Sequence, residues 1–416
     1  MGRSQNAKLD SMPDAFALTN CGQVVTCSGA GVIEGGAVLV SDGVIKAVSQ
    51  DVALPEDVET VDVGGRVVTP GLIDAHTHAV FAGSRADEYE KRAKGVSYAE
   101  IASAGGGIMA TVRAVRAASE EELYRQSSRH VGWMLEGGTT TAELKSGYGL
   151  TLEDELKMLR VIERLGNETP IDTQATFLGA HAVPPEFSDR SAYMDHVCDV
   201  MMPAVVEQGI AVAVDMFVEE GYFSQQDAER LAGTLALPRE GADVDVRTTR
   251  LRLHVDQFTS GGAELAARVG AATADHLEQT GDVGIAALKA SGTIPVLLPG
   301  SVYALGLGKY ADARKMIDEG LPVVLATDFN PGSSPTPSLP MVMSIACTQM
   351  GMTPGEALTA CTANAATALG YDDRGQIKEG MIADLVVWDV DDYREIPYFF
   401  GVNLVHTVFK RGVEVV

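Results

Sequence analysis

Short apolar, β-branched runs alternate with longer stretches of helical period through most of this chain. Eight runs predict strands: LIDAHTH (72–78), TTTAELK (139–145), IDTQATFL (171–178), AVDMFVE (213–219), LRLHVD (251–256), ATADH (272–276), TIPVLL (293–298) and PVVLATD (322–328). Helical periodicity predicts helices over 119–136, 152–166, 191–208, 224–234, 262–269, 281–290 and 309–319. Ser119 followed by Glu122 reads as a capping box at the start of the first. Strands that take turns with helices imply a parallel sheet. Eight such units predict an α/β fold of (β/α)8 type, a closed TIM-like barrel.

The two ends break this rhythm. QVVTCSG, GAVLVSDGVIKAV and VETVDVGGRVV, all within 16–69, are short strand signals divided by Gly and Asp. ADLVVWDV (383–390) and VHTVFKRGVEVV (405–416) are strand-like again, and Gly375 to Gly380 reads as a turn leading in. Neither end is long enough to fold alone. The expectation is one small β-sandwich domain built from residues 1–69 and 373–416, beside a barrel over 70–372. Two separate β-extensions are the simpler alternative.

Composition fits this division. The chain has 416 residues, 46% of them apolar, which supplies a sizeable core. No run of about 18 uninterrupted apolar residues occurs, so no membrane-spanning helix is expected. The first residues, MGRSQNAKLDSMPDA, lack the apolar centre of a signal peptide, and Asn6 breaks the myristoylation pattern. A net charge of −25 argues against nucleic acid or an anionic membrane as partner. Five cysteines, Cys21, Cys27, Cys198, Cys347 and Cys361, are odd in number and show no CxxC spacing. A disulfide framework or cysteine zinc site is not expected, and a reducing, cytoplasmic setting is the simpler reading.

Candidate chemistry gathers on histidine. Of eight histidines, His76, His78, His181, His254 and His276 lie at or just past the C-terminal ends of predicted strands, where barrel active sites form. His76 and His78 are two apart on a strand, so both point one way, a ready-made half of a metal site. A lone HxH is a modest signal; its place after Thr69-Pro70-Gly71 strengthens it. Asp328 closes an apolar run, so it must be paired, metal-bound or exposed. A turn role before Asn330-Pro331-Gly332 is the plain alternative. With His254, three imidazoles and a carboxylate could hold one divalent ion; zinc, iron and manganese all accept such ligands. His276 reads as a catalytic group beside that site, the alternative being a satisfied core histidine. Gly105-Gly106-Gly107 lacks the Lys-Ser/Thr of a phosphate loop and reads as a loop over the site. Lys145 reads as structural.

The order HxH, His254, His276, Asp328 resembles the amidohydrolase superfamily in its single-metal branch. Within it, VTPGLIDAHTHAVFAGSRADEYEKRAKGVSYAEIASAGGGI (68–108), ELKSGYGL (143–150), TFLGAHAVPPE (176–186), HVDQF (254–258), ADHLE (274–278) and ATDFNPGSSPT (326–336) resemble the imidazolonepropionases of histidine degradation. The resemblance spans nearly the whole chain beyond residue 15. It implies that His76, His78, His254 and Asp328 ligate one metal, zinc or iron. It implies that Arg85, Tyr148, His181 and Gln257 contact the substrate, 4-imidazolone-5-propanoate, and that Asn330, Gly332 and Ser333 form a loop that holds it or its product. His276 matches a histidine beside the metal-bound water, and with Asp328 it is the expected catalytic pair. Some relatives carry Glu where this chain has Gln257; Gln can only hydrogen-bond, which shifts proton handling to His276 and Asp328. The family also implies a homodimer.

The expected reaction is hydrolysis of the ring amide to N-formimidoyl-L-glutamate. Arg85 would bind the substrate carboxylate through two parallel hydrogen bonds; a surface ion pair with Asp87 or Glu88 is its plain alternative. An aminohydrolase acting on another cyclic amidine is the competing enzyme reading. A non-catalytic scaffold relative is the competing reading of another class, though such a protein would not need a full ligand set.

Overall fold

The structure, a computed structural model, describes residues 15–96, 100–101, 104–236 and 250–416. The N-terminal segment read above for leader signals lies outside the described residues except for Ala15. Seven strands come first: β1 (Ala15–Thr19), β2 (Gln23–Val25), β3 (Val32–Glu34), β4 (Ala37–Ser41), β5 (Val44–Ser49), β6 (Glu59–Asp62) and β7 (Val67–Pro70). Eight parallel strands follow: β8 (Leu72–Thr77), β9 (Thr139–Lys145), β10 (Asp172–Ala180), β11 (Ala213–Phe217), β12 (Arg250–Val255), β13 (Thr273–His276), β14 (Ile294–Leu297) and β15 (Val324–Leu325). The tail adds β16 (Leu385–Trp388), β17 (Val405–Lys410) and β18 (Val413–Glu414).

β8 to β15 are neighbours in sequence order. The ring closes where the chain just beyond β15 meets β8: Asp328 N donates to the His76 carbonyl at 3.0 Å and His78 N to the Phe329 carbonyl at 3.0 Å. This is the expected (β/α)8 barrel. The capping box is present, with Ser119 Oγ accepting from Glu122 N and the Glu122 carboxylate accepting from Ser119 N. Two expectations need correction. The run 322–328 pairs as regular strand only over Val324–Leu325, because its last residues spend their backbone groups on closing the ring. The helix expected over 191–208 is α-helical over Arg190–His196 and Met202–Gln208, with a π turn over Val197–Met201 between. Pro203 lacks an N–H and cannot continue an α ladder, which accounts for the wider turn before it.

The ends pack as a sandwich. One sheet has the order β5-β4-β1-β6 and the other β18-β17-β16-β7-β2-β3. Phe16, Leu18, Val38 and Val40 of the first share a buried cluster with Val24, Val68, Leu385, Val387 and Phe409 of the second. β16 from the tail pairs antiparallel with β7 from the N-terminal segment, so neither end is a separate extension. β7 leads into β8 through Gly71 alone. A Cβ there would lie 2.2 Å from Thr140 Oγ1, so this tight entry needs glycine. Among the described residues no helix is long and apolar enough to cross a membrane, and all five cysteines are free thiols.

Candidate active site

Alternation along the strands aims the chemistry into the barrel mouth. His76 and His78 do point together, their ring centroids 5.4 Å apart, and His254 on β12 lies 4.4 Å from His76 by the same measure. One imidazole nitrogen from each of these three lies within 4.8 Å of the others. Asp328 Oδ1 comes to 3.4 Å from His78 Nε2 and 3.7 Å from His76 Nε2. Backbone at the site is unusual: His276, Leu277 and Asp328 have φ of 85°, 70° and 52°, a left-handed conformation that non-glycine residues keep only under constraint.

Buried carboxylates orient the imidazoles from below. His76 Nδ1 lies 2.6 Å from Asp275 Oδ2, and His254 Nδ1 lies 3.0 Å from Asp215 Oδ1. Each Nδ1 therefore holds the ring proton and each Nε2 presents its lone pair to the site. Asp215 also accepts from Lys145 Nζ at 2.8 Å, and Lys145 reaches Glu143 at the same distance. Glu143 in turn accepts from Thr77 N between the two histidines. Lys145 is structural, as expected. Sequence reasoning did not single out Glu143, Asp215, Asp275 or Glu278.

The protonation pattern fits a cation. Burial first, and then the Lys145 charge and the other histidines, hold His76 well below the ordinary imidazole value. Burial and His181 do the same for His78. Burial also lowers His254, against the pull of Asp215. His78 Nε2 and His254 Nε2 stand 3.3 Å apart, and buried His76 Nε2 has no hydrogen-bond partner. Two imidazole nitrogens facing each other, beside a third with nothing to bond and a carboxylate, suit a Lewis acid between them. Asp328 is pushed up to about 7 by burial, though His276 opposes this. His276 differs from the other rings. Burial would lower it, but Glu278, Asp328 and Asp275 outweigh that and raise it.

A cavity of about 440 Å³ opens above these groups. His78, Arg85, Tyr148, His181, His254, Gln257, His276, Asp328, Asn330 and Ser333 all line it. His76 lies beneath the wall, and Gly332 lies behind Arg85, where a Cβ would fall 2.0 Å from Arg85 Nη1. His181 stacks on His78 at 5.0 Å and has Nδ1 3.0 Å from the Gly147 carbonyl; burial lowers it to about 3, so it is neutral. Asn330 Oδ1 accepts from Gly332 N and Ser333 N, which shapes the 330–333 loop. Arg85 does pair with Glu88, at 2.8 Å, but this pair is buried rather than on the surface, and Glu88 also accepts from Gly107 N at 2.9 Å. The glycine run therefore reaches the site through Glu88, and Ile108 after it lines the cavity.

This fold and this set of side chains are those of an amidohydrolase. The amidohydrolase family profile matches residues 257–415, and the profile of the NagA composite domain matches 15–68. An imidazolonepropionase from Solibacter usitatus is 49% identical, the match covering 95% of this chain and 97% of that one. One from Geobacillus kaustophilus is 48% identical over 93% and 91%. The chain belongs to the imidazolonepropionase family. Solved structures show the same fold at lower identity. Guanine deaminase from C. acetobutylicum has a TM-score of 0.71 at 15% identity, covering 97% of this chain and all of that one. A. niger ochratoxinase has a TM-score of 0.69 at 18%, covering 96% and 95%.

Proposed function

We propose that this chain hydrolyses the ring amide of 4-imidazolone-5-propanoate to N-formimidoyl-L-glutamate, the step its relatives' name describes. The observation that carries this reading is one cavity with His78 and His254 on its floor, His76 directly beneath them, and Arg85 on its wall. A reactive floor and a carboxylate anchor in one cavity suit a substrate with a cyclic amide and a propanoate arm.

His76, His78, His254 and Asp328 would hold one divalent ion, zinc or iron. Such an ion, when bound, supplies a Lewis acid that makes water acidic near neutrality and polarises a carbonyl. Arg85 takes the propanoate and fixes the ring's direction. Tyr148 and neutral His181 flank the ring, and Gln257 offers it both a donor and an acceptor. Water adds to the ring carbonyl carbon, and Asp328 accepts the water's proton at a carboxylate oxygen. Glu278 beside His276 raises its pKa, which suits it to donate towards the developing oxyanion. The proton then passes to the ring nitrogen as the amide C–N bond breaks. A homodimer, and the division into a barrel over 70–372 with a composite domain from 1–69 and 373–416, belong to the same reading.

The test uses metal-loaded protein and imidazolonepropionate made freshly from urocanate. The substrate's ultraviolet absorbance should fall faster than its spontaneous decay, with metal measured on the same sample. No excess loss would end the proposal, and ammonia release from other cyclic amidines would move it to a deaminase.

A further inference from the structure

Glu219 ends the run AVDMFVE, two residues past the end of β11, belongs to none of the candidate site residues above, and is 6% exposed. A carboxylate so buried must be satisfied, and here two backbone segments satisfy it. Oε2 accepts from Phe258 N at 2.8 Å. Oε1 accepts from Thr259 Oγ1 and from Glu220 N, the latter at 3.0 Å. The Glu219 main chain opens the turn 219–223, with Tyr222 N donating to its carbonyl and its own N–H to the Phe223 carbonyl. One side chain thus ties the turn after β11 to the loop after β12.

Those two segments form one wall of the reaction cavity, through Tyr222 from the first, beside Phe217 at the end of β11, and Gln257 and Phe258 from the second. The second segment is held on the other side of Gln257 too, where Gln279 N donates to the Asp256 carbonyl at 2.8 Å; Gln257 itself is held less tightly. Its carbonyl accepts a long bond from Gln279 Nε2 at 3.4 Å. Asp256 before it has φ of 58° and spends its carboxylate on Gly262 N, Ala263 N and Thr280 Oγ1. The backbone immediately after Gln257 is held by Glu219.

We propose that Glu219 is a positioning residue for Gln257: it touches neither substrate nor metal, and sets the direction in which the Gln257 amide meets the substrate ring. The inference rests on the proposed hydrolysis of imidazolonepropionate. It also accounts for how a neutral amide at 257 can serve. A side chain that binds only by hydrogen bonds depends on angle more than a charge does.

The test is a double-mutant cycle on the metal-loaded enzyme with Glu219→Gln, Gln257→Ala and both together. Gln at 219 keeps the volume but has one acceptor oxygen, so it cannot serve both the Phe258 amide and the Thr259–Glu220 donors. Glu219→Gln should raise KM about tenfold, the loss expected from one charge-assisted hydrogen bond, with kcat nearly unchanged. Metal content and Tm should stay at wild-type values, which separates positioning from a folding defect. In the Gln257→Ala background the same change should add almost nothing, since the group it positions is gone. Independent, multiplying losses, or Glu219→Gln kinetics equal to wild type, would overturn the proposal. If Glu219→Gln lowers Tm markedly, Thr259→Val, which removes one donor and keeps the carboxylate, should reproduce a smaller KM effect that is likewise absent without Gln257; a multiplying effect would again overturn it. A wild-type enzyme without activity would instead count against the proposed function.

Discussion

Lys145 Nζ lies 2.8 Å from Asp215 Oδ2, and neither side chain has any solvent exposure. The lysine is the central cation of a buried group in which Asp215 orients His254 and Glu143 holds the Thr77 amide between His76 and His78. Burial alone would lower its pKa, but Asp215, Glu143 and Asp275 raise it, so it remains charged. Lys145→Met would leave two buried carboxylates uncompensated. Breaking one side of such a pair costs about 3–5 kcal/mol. Urea unfolding should show a loss of that order, and the metal retained after dialysis should fall with it. An unchanged unfolding midpoint would show that the two carboxylates do not depend on this cation.

How far the site is legible in the sequence follows from which groups are scarce. Histidines are few, and alternation along a strand fixes their direction, so His76, His78, His254 and His276 can be placed from position alone. Their carboxylate partners cannot. Asp215 and Asp275 are two among 57 acidic residues; Asp215 meets His254 from the neighbouring strand, in a register no local pattern states, and Asp275 on β13 meets His76 on β8 from across the barrel. Boundaries fail for a related reason. PVVLATD is apolar enough to read as a full strand, yet Asp328 N bonds to His76 across the closing seam, a contact far away in sequence. Arg85–Glu88 is legible as a pair at helical spacing but not as a buried one, because what covers it is the loop through Gly107 and the segment at Gly332.

That packing gives Gly332 a purpose distinct from substrate contact. The Arg85 guanidinium lies where a Cβ of residue 332 would be, and the Gly332 carbonyl accepts from Arg92 Nη1 at 3.0 Å, which keeps the segment from retreating. Gly332→Ala should displace Arg85 and raise KM, with kcat less affected. Arg85→Ala should do so more strongly, by about 10- to 100-fold for the lost charge-assisted bonds. Steady-state kinetics on the two variants decide it. Wild-type KM in both would mean the propanoate is bound elsewhere.

His276 is set apart from His76, His78 and His254 by its raised pKa and by Glu278, 3.4 Å from its Nδ1. His276→Asn keeps a donor of similar reach but cannot exchange a proton near neutrality. We expect kcat to fall by about 10²- to 10⁴-fold, the range for loss of a general acid or base, with metal content unchanged. Loss of metal along with activity would make His276 a ligand instead.

The barrel base and the tail are held by a second charged cluster, well away from the chemistry. Asp172 at the start of β10 accepts from Arg374, from Lys410 of β17 at 2.8 Å and from Arg411 at 3.0 Å. Burial pushes its pKa up, but Lys410 and Arg374 more than offset this, so the folded value lies below the ordinary 3.8. The unfolded chain therefore takes up the proton first as pH falls. The stabilisation is full above about the ordinary aspartate value and is lost as pH drops through the lower folded one. Asp172→Asn should cost about 1–3 kcal/mol at neutral pH, discounted because Arg411 is half exposed and screened. Urea unfolding of variant and wild type across a pH series should show the two curves converging in acid. A gap of constant size down to the lowest pH would mean the loss comes from packing rather than from the carboxylate's charge.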